Sequence, residues 1–314
     1  MNGPFGGLSL MGAEMYTKLI LSGARDKLED WKGYGQGREL WKDPELLGYL
    51  NNAHNDWARQ TLCFRDSSTE AICKILLLAN QHTFPMDKRI VAIHKGRLLS
   101  GWPNIEVKDE LWLNEYIFSW ETRTGDPRYL VPDYEVGKLR IIPYFDTEGY
   151  FSGPMTFAAA DKSITKAGAN FSTYLSAGNQ VVITGAPLNL GTKTVATASV
   201  NAFTVSEAVT NETSSAAVIQ KVRDTLWLST SRLPLNQLTM ASDNEEPEIN
   251  FDYHPKLIPG ILREAYEKDG AQTLDPKAAD RYRILFQGHI NMAKKEKYRL
   301  RHSSRVLRPN PGTL

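Results

Sequence analysis

The strongest constraint on the fold is a change of character in mid-chain. From Phe157 to Lys221 charged residues become sparse, and Ala, Ser, Thr, Gly and Val dominate. Short runs alternate there with a period of two: Gln180–Thr184 (QVVIT), Lys193–Ala198 (KTVATA), Ala202–Ser206 (AFTVS) and 216–221 (AAVIQK). Gly or Asn separates most of them, and Pro187 is the one proline between 155 and 222. Sustained β-branched alternation argues against a disordered polar tract. Many short strands at close spacing predict a small all-β sandwich or barrel.

The flanks follow a helical rhythm. Residues 13–30 place Met15, Leu19 and Leu28 among charges, which predicts a first helix, and Gly33, Gly35 and Gly37 break it. Asp43 as N-cap and Pro44 at the first helical position predict a second helix to about Thr61, with Leu46, Leu50, Ala53 and Trp57 on one face. Two runs, AICKILLLA and RIVAIHKGRL between 71 and 99, predict a strand pair, and 108–117 a short helix. Further strands are expected at 128–131 and 138–143 around a turn at 133–137, and at 225–231 with Leu226 and Leu228 on one side. Pro255 opens a helix with Leu257, Ile258, Ile261, Leu262, Ala265 and Tyr266 on one face, closed by Gly270. Asp275-Pro276 starts another, with Ala279, Tyr282, Phe286, Ile290 and Ala293 inward.

The expected class is therefore α+β: N-terminal helices plus a C-terminal helical hairpin, a central antiparallel sheet, and an inserted β-module. The boundaries are 1–154 and 223–298 for a split domain, 155–222 for the module and 299–314 for a basic arm.

Charge sharpens this. Lys plus Arg number 37 against 36 acids, a net +1 over 314 residues, which argues against a general coat for nucleic acid or an anionic membrane. The mean hides unlike pieces. Residues 243–252 (DNEEPEINFD) hold Asp243, Glu245, Glu246 and Glu248 with no base, whereas 294–308 (KKEKYRLRHSSRVLR) hold seven bases and one acid. In the latter, Lys297, Arg299, Leu300, Arg301, Arg305, Val306, Leu307 and Arg308 interleave charge with apolar groups, which favours docking into a protein groove over pure phosphate contact. No run is long and apolar enough for a membrane helix, and an export leader is not expected. Cys63 and Cys73 match no zinc or redox spacing and read as buried thiols.

Catalytic signals are weak. Among His54, His82, His94, His254, His289 and His302 there is no HxxxH or HExxH spacing, and no GxSxG or GxxxxGK[ST] occurs. No metal, cofactor or catalytic residue is assigned. The acidic residues could hold a cation or serve acid/base chemistry, but a solvated loop or docking surface for a basic partner accounts for them. Trp57 and Trp227 fit core faces, while Trp31, Trp41, Trp102, Trp112 and Trp120 lie near loops, either packed locally or as interface anchors.

Several motifs, in order, resemble the head-to-tail adaptor (neck connector) proteins of tailed bacteriophages: Asp43–Asn51 (DPELLGYLN), Thr124–Arg128 (TGDPR), Lys138–Pro143 (KLRIIP), Leu226–Pro234 (LWLSTSRLP), and a terminal hairpin opened by Tyr253-His254, closed near Lys268-Asp269 and restarted at Asp275-Pro276. The likeness covers about 13–153 and 223–302. Residues 155–222 depart from it and look like a small β-module of phage virion proteins, through 177–185 (AGNQVVITG) and 191–195 (GTKTV). The resemblance implies a non-enzymatic virion protein of the neck, made in the host cytoplasm. It implies a homo-oligomeric ring, commonly a dodecamer, under the portal protein. That ring would extend the DNA channel without sequence-specific DNA binding and dock stopper or tail proteins. The arm residues 297–308 would then engage the portal, and the acidic loop would lie at a subunit interface or in the lumen. Two other readings are a carbohydrate- or host-surface-binding tail or fibre protein acting through the β-module, and a hydrolase using loop carboxylates.

Overall fold

The computed structural model describes residues 17–28, 40–101, 104–240, 245–269 and 273–303. The chain is α+β, and it divides into two compact units, 1–64 with 232–314, and 65–231.

The first unit is helical. It contains α1 (Thr17–Leu28), α2 (Asp43–Thr61), α6 (Ile258–Glu267) and α7 (Pro276–Ser303), with a 3-10 turn at Phe251–Leu257 before α6. Leu46, Leu50, Ala53 and Trp57 of α2 are buried as their spacing requires, against Ile20 and Ala24 of α1, Ile261, Leu262 and Ala265 of α6, and Phe286 and Ile290 of α7. α2 starts one residue earlier than its N-cap signal suggests. Lys42 occupies the cap, its amide donating to Glu45 Oε2 (3.3 Å). Asp43 instead accepts from Arg25 Nη2 at 2.6 Å, so an ion pair to α1 has captured the capping carboxylate. The expected helix from Pro255 begins as the 3-10 turn, and Pro255 lies inside that turn. The expected Gly270 stop and the 33–37 glycines lie outside the described residues. Asp275 behaves as expected: its Oδ1 accepts from the amides of Lys277 and Ala278, both at 3.1 Å, at the head of α7.

The second unit carries the strands: β1 (Arg65–Asp66), β2 (Lys74–Leu78), β3 (Thr83–Pro85), β4 (Ile90–Leu98), β5 (Glu106–Val107), β6 (Tyr129–Glu135), β7 (Lys138–Ile142), β8 (Tyr150–Ser152), β9 (Met155–Ala158), β10 (Ser163–Thr165), β11 (Gln180–Thr184), β12 (Gly191–Ala198), β13 (Ala202–Val205), β14 (Glu212–Ser214) and β15 (Val218–Arg232). Short helices α3 (Glu70–Cys73), α4 (Glu110–Tyr116) and α5 (Phe171–Tyr174) lie between them. One hydrogen-bonded sheet runs β1-β15-β11-β12-β13-β10-β9-β14, with β2, β4 and β8 also on β15. A smaller sheet runs β3-β7-β6-β5, with β5 and β6 parallel.

β15 organises this unit. The separate strand signals at 216–221 and 225–231 are halves of one 15-residue strand, and the expected 222/223 boundary falls inside it. Its length also explains why β2 and β4 do not form the expected pair: each pairs with β15 instead. The residues Glu70–Cys73 just before β2 form a helical turn, not strand. The turn between β6 and β7 is shorter than 133–137, because β6 continues to Glu135. Two of the unit's buried clusters lie on opposite stretches of chain. Phe157, Ile164, Phe171, Val181, Ile183 and Phe203 form one; Leu77, Leu98, Leu130, Leu139, Leu226 and Leu228 belong to the other. Cys63 and Cys73 are not joined in a disulfide; Cys73 is buried, its Sγ 3.9 Å from the Thr230 hydroxyl. No described helix is long and apolar enough to cross a membrane.

Gly260 sets how closely the first unit can pack. A Cβ there would stand 2.7 Å from Ala53 Cβ and 3.1 Å from a Phe286 ring carbon, whereas one on Gly48, exposed on α2, would meet nothing within 4 Å. Gly260→Ala should lower unfolding stability by about 1–3 kcal/mol through overpacking, and Gly48→Ala should raise it by about 0.5–1 kcal/mol. Urea titration of both variants checks the opposite signs.

Candidate functional site

The described part of the basic stretch is the last third of α7, and it divides by role. Lys294, Lys295 and Arg299 lie on the solvent side of the helix. With Tyr253, Lys256, Met292 and Tyr298 they line an open cleft of 690 Å³. Met292 and Tyr298 are exposed by 61% and 63%, and Ile284, two turns before Met292, by 72%. α7 thus buries Phe286 and Ile290 while presenting a second apolar stripe, rimmed by cations, to solvent. Such a stripe exceeds what a free helix face requires.

Lys297 does not belong to that surface. Its ammonium donates to the carbonyls of Thr61 (2.8 Å) and Leu62 at the end of α2. Those are carbonyls that a helix leaves without partners, and a cation there also suits the helix dipole. A residue expected in the portal-binding arm therefore serves the fold. The helical part of the expected arm continues through Leu300 and Arg301, whereas Arg305, Val306, Leu307 and Arg308 lie outside the described residues.

The acidic loop is likewise tied inward. Glu248 receives both guanidinium nitrogens of the nearly buried Arg232, at 2.5 and 3.0 Å, and the Leu235 amide at 3.0 Å. Burial alone would raise this carboxyl, yet the Arg232 and Leu235 hydrogen bonds and the Arg232 charge hold it below its ordinary value. Glu245 accepts from the amide and hydroxyl of Thr239, both at 2.7 Å, and its carbonyl accepts the Thr17 amide. Glu246 is exposed, and Asp243 lies outside the described residues. The Tyr253-His254 motif closes the arrangement. His254 is buried with Nε2 2.9 Å from the Ile249 carbonyl and 3.1 Å from that of Pro247, and the Tyr253 hydroxyl donates to Glu296 of α7. The sequence separates acidic loop and basic helix by about 50 positions; the fold places them around one cleft of 320 Å³ that includes Cys63, Glu248, Tyr253, Glu296 and Lys297. Burial pushes the Cys63 thiol up, away from thiolate chemistry.

No group of three or more His, Cys, Asp or Glu among the described residues could hold a metal. The histidines are dispersed. His54 is 2% exposed beside Phe64, its Nε2 without a hydrogen-bond partner. Burial lowers its pKa to about 4. Of the tryptophans expected at loops, Trp41 and Trp120 are buried, with Trp41 Nε1 donating to the Ala265 carbonyl at 2.9 Å and Trp120 Nε1 to Asn114 Oδ1 at 2.8 Å. Trp112 packs on Tyr116 and Tyr129. Trp31 and Trp102 lie outside the described residues. Trp227 departs from its expected core position and is half-exposed, because Leu226 and Leu228 take the inner face of β15. The alternation of Leu226-Trp-Leu-Ser229 carries the signal for this.

No protein-family model matches the chain, and a search of curated proteins gave no match.

Lys297→Met should cost about 1–2 kcal/mol of stability through the orphaned carbonyls, while Arg299→Ala should change it by less than about 0.5 kcal/mol; thermal melts of the two distinguish a fold contact from a surface one. His54 holds fewer protons folded than unfolded, so its neutral form stabilises the protein fully above pH 6.5. That stability is lost as pH falls from 6.5 towards about 4, amounting to about 3 kcal/mol. Glu248, with a depressed pKa, adds a further loss at lower pH. In His54→Phe the slope between pH 6.5 and 4 should largely vanish, as read by denaturant titration at stepped pH.

Proposed function

We propose that the chain is a structural subunit of a tailed-phage neck, a head-to-tail adaptor that assembles as a ring under the portal and carries no enzymatic activity. The observation that carries this reading is α7. Its 28 residues keep one face in the helical core and present Ile284, Met292 and Tyr298, with Lys294, Lys295 and Arg299, to a partner, before running into the basic segment that ends at Arg308. An amphipathic element with an apolar stripe and a cationic rim suits a groove on a neighbouring protein. Repeated head-to-tail around a closed ring, such contacts build an oligomer, a dodecamer on the family's pattern. Arg299, Leu300, Arg301, Arg305, Val306, Leu307 and Arg308 are then the portal-binding arm, and DNA passes through the lumen without sequence reading. The site of action is the virion neck, with stopper or tail proteins docking on the far side.

Residues 155–222 fit this reading as an inserted β-module that projects to a further virion partner, since they enclose the buried cluster around Phe157, Phe171 and Phe203. The rival reading, a sugar-binding module, asks for exposed aromatic platforms. The large apolar residues exposed there are Leu188, Leu190 and Val200, with Tyr174 the one aromatic.

Deleting 304–314 leaves α7 whole. The truncated protein should melt as the full chain does but fail to bind portal rings, seen by electron microscopy of the mixture. Normal assembly on the portal without those residues overturns the arm assignment, and full-length protein found on distal fibres or nowhere on the virion overturns the adaptor reading.

A further inference from the structure

The half-exposed Trp227 sits at the centre of a cationic face on the second unit. Leu226 and Leu228 are fully buried, so the pleat sends Trp227 and Ser229 to the opposite face of β15. The register adds to that face. Lys74 of β2 stands opposite Trp227, and Arg65 of β1 opposite Ser231. β4, also paired to β15, buries Gly96 and Leu98 and exposes Lys95 and Arg97, with Leu99 exposed just beyond its end. Neighbouring strands thus bring Lys74, Lys95 and Arg97 to the indole from positions far apart in sequence, with Arg65 opposite a residue four positions further along β15.

These charges are largely uncompensated. Among the described residues Arg65, Lys95 and Arg97 form no ion pair. Lys74 meets Glu70 only at 3.4 Å, with both side chains solvated, and its ammonium lies 5.9 Å from the Trp227 ring centroid. The nearby acids are engaged: Asp66 accepts from the amides of Ser68 and Thr69, each at 3.0 Å, and Asp224 from the Ser100 hydroxyl at 2.5 Å. A cleft of 440 Å³ opens here, walled by Trp227 and Leu99 on its apolar side and by Lys95, Arg97 and Ser68 on its polar side.

We propose that this sheet face binds single-stranded nucleic acid, with a base stacked on Trp227 and the phosphates held by Lys95, Arg97, Lys74 and Arg65. Stacking platforms set in a cationic groove are how sheets hold single strands without reading sequence. A duplex offers the same phosphates but keeps its bases paired and cannot use the indole. An acidic peptide offers charge but no planar ring. The site is independent of the portal-binding reading of α7, and neither stands or falls with the other.

The test is fluorescence anisotropy of a labelled oligothymidylate of about 15 nucleotides with the full-length chain, starting near 50 mM salt. Binding should weaken steadily as salt rises. Lys95→Glu with Arg97→Glu, both exposed and therefore harmless to folding, should weaken it at least about ten-fold. Trp227→Leu keeps apolar bulk without the ring and should cost about five-fold or more, since one stacked base contributes about 1–3 kcal/mol. Its melting curve is recorded alongside. Absence of binding near 50 mM salt overturns the proposal. So does a duplex of equal length bound as tightly, polyglutamate competing equally at matched charge, or unchanged affinity in the double charge reversal.

Discussion

The helical unit depends on one contact made across almost the whole chain. The apolar face of α2 has too few partners in its own neighbourhood; α6 and α7, some 200 positions later, supply the rest. Gly260 lets α6 approach Ala53 closely enough for Phe286 to fill the remaining space, and Trp41 fastens the same interface by donating to the Ala265 carbonyl. Close packing without a side chain at the crossing makes dispersion contacts dense. It also makes every later position on α7 a matter of geometry, because a helix anchored by Phe286 and Ile290 must send Ile284, Met292 and Tyr298 elsewhere.

Charges that look like functional signals in sequence are sorted by this packing into two groups. Arg25 with Asp43, Lys268 with Glu45, Arg232 with Glu248, and Lys297 with the end of α2 all hold separate segments to one another. Their partial burial makes losing one partner more costly than an exposed pair would suggest. Lys294, Lys295 and Arg299 remain at the surface of α7. Among the described cations of the basic end, Lys297 is therefore taken by the fold, whereas Lys294, Lys295 and Arg299 are open to a partner.

In the second unit the equivalent constraint is the length of β15. A strand of 15 residues has more edge than one neighbour can cover, and β1, β2, β4, β8 and β11 all pair with it. Parts of the sheet that would otherwise be separate hairpins share a register through it. The same continuity leaves Leu226 and Leu228 in the core and Trp227 on the outer face amid cations contributed by two other strands.

Sequence alone determined the α+β class, the faces of α2 and α7, and most strands between 180 and 232. These features are periodic and local: a helix repeats in 3.6 residues and a strand in two, and apolar spacing reports both. Asp275-Pro276 was equally legible, because its cap acts on amides only two and three residues away. Tertiary structure decided the rest. Asp43 lost its capping role to an arginine on another helix, β2 and β4 chose β15 over each other, Lys297 turned inward and Trp227 outward. Each depends on which distant group arrives at 3 Å, a fact that no spacing along the chain encodes.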